Sequence, residues 1–163
     1  MDGLELRRAT PADAAEIADL FLASFKATYH FSLAHSDDEV RRWITDVLVP
    51  SDEVWVAVAR DGTVLGLMAL TSDMLDQLYV APGWSGQGIG SRLVDLAKER
   101  RPAGFDLYTF QVNHRARRFY ERQGFVEVSL GDGTDNEEGQ PDVRYAWRPP
   151  AGGRQDESAR RDP

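Results

Sequence analysis

Ser85-Gly86-Gln87-Gly88-Ile89-Gly90-Ser91 is the stretch whose residue types and spacing point most directly to chemistry. Glycines can take positive φ and let a ligand come close to the backbone. The stretch follows a strand-like run and opens a helix-like one, so unpaired N–H groups and the positive end of a helix dipole converge on it. Together these features form a nest for a diphosphate. Two familiar nucleotide loops do not fit. A P-loop needs Gly-x-x-x-x-Gly-Lys-Ser/Thr, and no lysine lies here. A dinucleotide fingerprint needs Gly-x-Gly-x-x-Gly after the first strand of a parallel unit. Here the pattern is Gly86-x-Gly88-x-Gly90, in mid-chain after a β-meander. Three alternating glycines also suit a plain strand-to-helix turn, and the loop alone does not choose between the two.

The elements around the loop can be read from periodicity. Leu4 to Ala9 alternates as a first strand. Thr10-Pro11-Ala12-Asp13 starts a helix carried by Ala14, Ile17, Leu20, Phe21 and Phe25. Ser36 caps a second helix through Val40, Trp43, Ile44 and Val47, with Pro50 just past its end. Val54–Ala59 and Val64–Leu70 flank Asp61-Gly62, a hairpin signal. Leu75–Val80 is a further strand, and Ile89, Leu93, Leu96 and Ala97 carry the helix behind the glycines. Phe105–Val112 is a strand, Ala116, Phe119 and Tyr120 sit on a helix ending at Gly124, and Phe125–Leu130 and Val143–Trp147 close the fold. The order predicts a mixed α/β sheet, mostly antiparallel, with two strand–helix–strand units giving local parallel pairing in the second half. Residues 149–163 are rich in Pro, Gly and charge without periodicity and read as a disordered tail after one domain at 1–148.

Composition removes several classes of function. The 163 residues suit one domain, and the hydrophobic share of 42% suits a packed core. No apolar run is long enough to span a membrane, and the acidic N-terminus does not read as a secretory signal. The expected location is the cytoplasm. With no cysteine there is no disulfide and no thiolate chemistry. A net charge of −8, with basic residues only in short clusters such as Arg115, Arg117 and Arg118, argues against nucleic acid as the main substrate. An acidic protein draws cationic ligands weakly. No His and carboxylate trio has metal-ligand spacing, so no metal is expected.

Two segments then carry a family resemblance. Leu78-Tyr79-Val80-Ala81-Pro82 followed by Gly86-Gln87-Gly88-Ile89-Gly90-Ser91-Arg92-Leu93 resembles the acetyl-CoA signature of the GNAT superfamily. Asn113, then Ala116-Arg117-Arg118-Phe119-Tyr120-Glu121-Arg122-Gln123-Gly124-Phe125, is similar to that family's second signature. Ser85 departs from the pattern, where Gln or Arg is usual. The resemblance covers roughly residues 4–148. It implies the GNAT-type fold, a twisted, mostly antiparallel sheet of about seven strands flanked by about four helices.

The resemblance also implies roles. Acetyl-CoA is the expected cofactor, contacted by Leu78, Tyr79, Val80, Gly86, Gln87, Gly88, Ile89, Gly90, Ser91, Asn113, Arg117, Phe119 and Tyr120. The backbone at Leu78 and Val80 would bind the pantetheine arm as an added strand would, although both side chains suit the core. Trp84, beside the loop, is expected near the coenzyme or in packing. Tyr120 matches the family's general acid, because a thiolate leaving a thioester needs a proton and a phenol can give it. A tyrosine packed beside Phe119 is the plainer reading. Asn113 can cap its helix, contact pantetheine, or both.

An amine arrives protonated and needs a base. Asp76 is the first candidate, two residues from Leu78 and so expected on the face shared by Leu78 and Val80. Glu39 and His35 come second. The acidic loop Asn136–Asp142 could meet an ammonium group. The implied reaction moves an acetyl group from acetyl-CoA to a primary amine of a small molecule or peptide by direct attack in a ternary complex. A non-catalytic acyl-CoA sensor on the same fold is the alternative, and Tyr120 argues against it. The family is often dimeric, so a homodimer is among the expected states.

Overall fold

A computed structural model describes residues 3–150; positions 151–163 of the expected tail lie outside the described residues. Seven strands form one sheet: β1 (Glu5–Arg8), β2 (Glu53–Val58), β3 (Val64–Leu70), β4 (Met74–Val80), β5 (Phe105–Phe110), β6 (Val126–Gly131) and β7 (Asp142–Trp147). Their order is β1-β2-β3-β4-β5-β7-β6. The helices are α1 (Ala14–Thr28), α2 (Asp37–Trp43), the single turn α3 (Val49–Ser51), α4 (Ile89–Arg100) and α5 (His114–Arg122).

β3 is buried along its whole length and separates two cores. On one face α4 and α5 bury Ile89, Leu93, Val94 and Tyr120 against Met68, Leu75, Leu107 and Tyr145. On the other, α1, α2 and the turn after α2 bury Ile17, Phe21, Val40 and Ile44 against Val54, Val56, Leu67 and Ala69. α4 seats closely because β3 carries Gly66 beneath it: a Cβ there would lie 2.9 Å from Ile89 Cγ2.

Two expectations need correction. The second helix does not end before Pro50. A π-helical turn, Ile44–Leu48, and α3 carry it through that proline. Only one of the two expected parallel pairings exists among the described residues, β4 with β5. β7 lies between β5 and β6 and is antiparallel to both. Burial explains this. Val143 and Tyr145 of β7 are 0% exposed and need neighbours on both sides, whereas Val126, Val128 and Leu130 stay open on β6 at the sheet edge.

Candidate active site

β4 and β5 pair only at Met74–Asp106 and Leu75–Leu107, then diverge. The wedge between them is a cavity of about 1070 Å³. It runs from the glycine loop, past Leu78, Val80 and Tyr120, to Asp76 and the β6–β7 connection.

At one end stands the N-terminus of α4. Gly86 and Gly88 have φ of +79° and +86°, a conformation other residues rarely take. Gly88 is the N-cap. Arg92 N makes a helical bond to Gly88 O at 3.0 Å, so the amides of residues 89–91 precede the hydrogen-bonded turn and are free for a ligand. The first turn of α4 carries no acidic side chain, whereas α2 places Asp37, Asp38 and Glu39 in its own. The dipole of α4 is therefore left for an outside anion. A Cβ at Gly88 would meet nothing within 4 Å, and the Arg115 guanidinium stands 3.9 Å from the Cβ position of Gly86. Open space, free amides and a cation are what a diphosphate needs, so these residues fit the coenzyme the sequence implies. Gly90 serves a different purpose: its missing Cβ lets Phe119 Cζ approach to 3.2 Å of that position, locking α5 onto α4. Ser91 Oγ accepts from Gln123 Nε2 at 3.0 Å and fastens the same contact.

The middle of the cavity is phenolic. Tyr120 is 8% exposed and lines the wall. Its ring packs on Phe119 and Phe125 at 5.3 and 5.5 Å between centroids. Its hydroxyl has no hydrogen-bond partner among the described side chains, and burial pushes its titration above the ordinary range. It therefore holds its proton at any working pH. Asn113 Oδ1 caps α5 by accepting from Ala116 N at 3.1 Å, while its Nδ2 donates to Tyr29 Oη at 2.9 Å. Capping is thus real, and Tyr29 of α1 is drawn into the wall beside it.

Asp76 also lines the cavity, but not on the expected face. Ala69 pairs with Gln77 while Leu70 pairs with Leu75, so Asp76 is the extra residue of a β-bulge. Leu75 and Leu78 both enter the α4 core, which leaves Asp76 and Gln77 turned to the α1 side with Tyr79. Simple alternation from Leu78 failed because a bulge inverts it.

Two other expected contacts are absent from the wall. Gln87 does not line it, and Arg117 turns away to Tyr145 Oη at 3.2 Å and Glu127 at 3.0 Å. The second-choice bases are also elsewhere. Glu39 is held in a capping box with Ser36, and His35 is ion-paired to Glu137 and Glu39. Of the acidic loop, Asn136 and Asp142 reach the wall, joined by Asp135, while Glu138 accepts from Ala34 N at 3.2 Å. Arg115, Tyr29 and Trp84 are in the wall; the basic run on α5 was the available signal for Arg115. Among the described residues no group of three His, Asp or Glu could hold a metal ion, and no helix is long and apolar enough to cross a membrane.

Residues 50–127 match the family model described as the acetyltransferase (GNAT) domain. The chain is 30% identical over 122 residues to the peptidyl-lysine N-acetyltransferase YjaB of Salmonella typhimurium, covering 75% of this chain and 83% of the relative. The solution structure of apo YjaB from Escherichia coli superposes with a TM-score of 0.75 at 24% identity, covering 90% of this chain and 99% of that one. The PaiA N-acetyltransferase of Thermoplasma acidophilum, solved with coenzyme A, superposes at 0.67 and 21% identity, over 89% of this chain and 98% of that one. A glycine loop at a bare helix start, a splayed strand pair and homology over most of the chain lead to one assignment: this protein belongs to the GNAT family and is an N-acetyltransferase.

Proposed function

We propose that the protein transfers the acetyl group of acetyl-CoA to a primary amine by direct attack in a ternary complex. One observation carries this reading: the α4 amides, the Tyr120 phenol and the Asp76 carboxylate line a single continuous cavity. Acetyl-CoA supplies an activated thioester when bound. The amides of Gly86 and of residues 88–91, with the Arg115 guanidinium, would hold its diphosphate, and the open edge of β4 at Leu78 and Val80 would orient its arm. Asp76 Oδ takes a proton from the acceptor's ammonium group. Tyr120 Oη would give its proton to the sulfur as the carbon–sulfur bond breaks, and its phenolate would take back the second proton that the nitrogen loses as the amide forms.

The acceptor enters from the end bounded by Asp76, Asp135 and Asp142, whose carboxylates favour a cation. The curated relative is named for peptidyl-lysine, and a peptide lysine is the acceptor we place first, ahead of small amines. We place the reaction in the cytoplasm. An amine panel of lysine peptides and small amines, monitored through released thiol, tests this. Turnover with at least one amine supports the proposal, and saturable acetyl-CoA binding without turnover of any amine refutes it.

A further inference from the structure

The bulge that turns Asp76 towards α1 also brings it to a second carboxyl group. Asp52 ends α3, donating its backbone N–H to Leu48 O at 2.9 Å, and its φ of −93° and ψ of 163° lead into β2. Val54, two residues on, is buried on the α1 side, so Asp52 projects to that side as well. Glu53 pairs with Leu70 and Leu70 with Leu75, and Leu70 points into the α4 core, so Asp52 and the bulged Asp76 flank the same stretch of β3 on its α1 face, where Asp76 raises the titration of Asp52. Its Oδ2 is sealed from solvent with no hydrogen-bond partner among the described residues. Nearby cations bring no relief. Arg100 and Arg101 are bound to Glu53 at 2.7 and 3.2 Å, and Glu53 also accepts from Trp55 Nε1 at 2.8 Å. Asp46 of the π-helical turn and Asp73 of the β3–β4 turn are exposed acids that add no positive charge, and Tyr79 on the same face is a half-buried phenol whose titration burial pushes up. A carboxylate with one oxygen sealed from solvent, beside a second carboxylate, is costly, and a proton shared by the two relieves the cost.

We propose that Asp52 and Asp76 act as one proton acceptor, with Asp76 touching the acceptor nitrogen and Asp52 behind it as a positioning residue that shares the proton. This rests on the reading of Asp76 as the base. In the step itself, one N–H bond of the acceptor's ammonium breaks, its electron pair stays on nitrogen, and the proton settles between the two carboxyl groups. From there it passes to solvent when the pair resets. Burial first, then the hydrogen bond and charge of Asp76, push the Asp52 carboxyl up to about 6. Below that pH the pair already carries a proton and cannot take another. The acidic limb of kcat/KM therefore follows the shared proton and lies above the range of an ordinary aspartate.

The test uses the full chain and three variants, Asp52→Asn, Asp52→Glu and Asp76→Asn, with pH–rate profiles and carboxyl-carbon NMR titration. Asp52→Asn moves the acidic limb down by about one pH unit, with a rate loss of about 3- to 10-fold at pH 8. Asp52→Glu restores the limb towards the wild-type position. In the NMR titration the wild-type Asp52 carbon responds in two linked steps. In Asp76→Asn it titrates in one step, lower than in the wild type but still above an ordinary aspartate because burial persists. If Asp76→Asn loses turnover while the Asp52→Asn profile overlies the wild type, the shared proton is refuted and the base reading stands. If Asp76→Asn keeps the full rate, the base reading fails and this inference with it. Should Asp52→Asn not fold, a single unlinked step at an ordinary aspartate value in the wild type is enough to overturn the proposal.

Discussion

Replacing Tyr120 by Phe separates chemistry from packing. The ring sits in a cage of Phe119, Phe125 and Tyr145, with centroids at 5.3, 5.5 and 6.2 Å, and phenylalanine keeps all three contacts. Only the hydroxyl is lost, and it is bonded to no described side chain. The stability change is therefore below about 0.5 kcal/mol, since a hydroxyl without a partner contributes little to folding. A general acid is worth at least about 10²-fold, or ~2.7 kcal/mol of barrier. The expected result is a kcat about 100-fold lower, with the acetyl-CoA dissociation constant and the chemical denaturation midpoint unchanged. Thiol-release kinetics, calorimetry and urea unfolding measure the three quantities. Tyr145→Phe is the control. Its hydroxyl donates to Glu121 at 2.9 Å and accepts from Arg117 at 3.2 Å, so that variant loses about 1–3 kcal/mol of stability and little intrinsic rate. A Tyr120→Phe enzyme within threefold of wild-type kcat refutes the acid assignment. So does a rate loss matched by an equal loss of folded protein.

Other perturbations probe the loop and the fold. Gly88→Ala forces a Cβ onto a φ of +86°, costing about 1–2 kcal/mol and weakening coenzyme binding, as thermal shift with and without acetyl-CoA would record. Arg115→Ala removes a cation beside Gly86 and should raise the coenzyme dissociation constant about fivefold, more at low salt than at high, with kcat nearly unchanged. Asp13 is bonded to Arg7 at 2.9 Å by both carboxylate oxygens, and these bonds hold its titration down to about 2. A depressed carboxyl stabilises the fold above its unfolded value near 4. Asp13→Asn therefore costs about 2 kcal/mol at pH 7, and that difference fades as pH falls from 4 towards 2 in urea titrations.

What could be read from the sequence was what is local. The glycine loop, the Asn113 cap and Tyr120 each lie within one short stretch whose spacing decides their geometry. Asp76 was chosen as a residue, but its face was not foreseeable, because the bulge arises from register between β3 and β4. Asp52 was missed for the same reason, since only folding sets it beside Asp76. Arg117 and Arg115 show the limit within a helix: two residues apart they point about 200° apart, and only the packing of α5 on α4 tells which one faces the loop. The insertion of β7 between β5 and β6 is likewise a long-range choice, driven by the burial of Val143 and Tyr145.

Titration calorimetry with coenzyme A and with pantetheine tests most directly whether the start of α4 grips a diphosphate. Binding of one coenzyme A per chain, at least about 100-fold tighter than pantetheine, is the expected result, a gap of ~2.7 kcal/mol. Equal affinity for the two ligands, or no heat with coenzyme A at millimolar concentration, would contradict it.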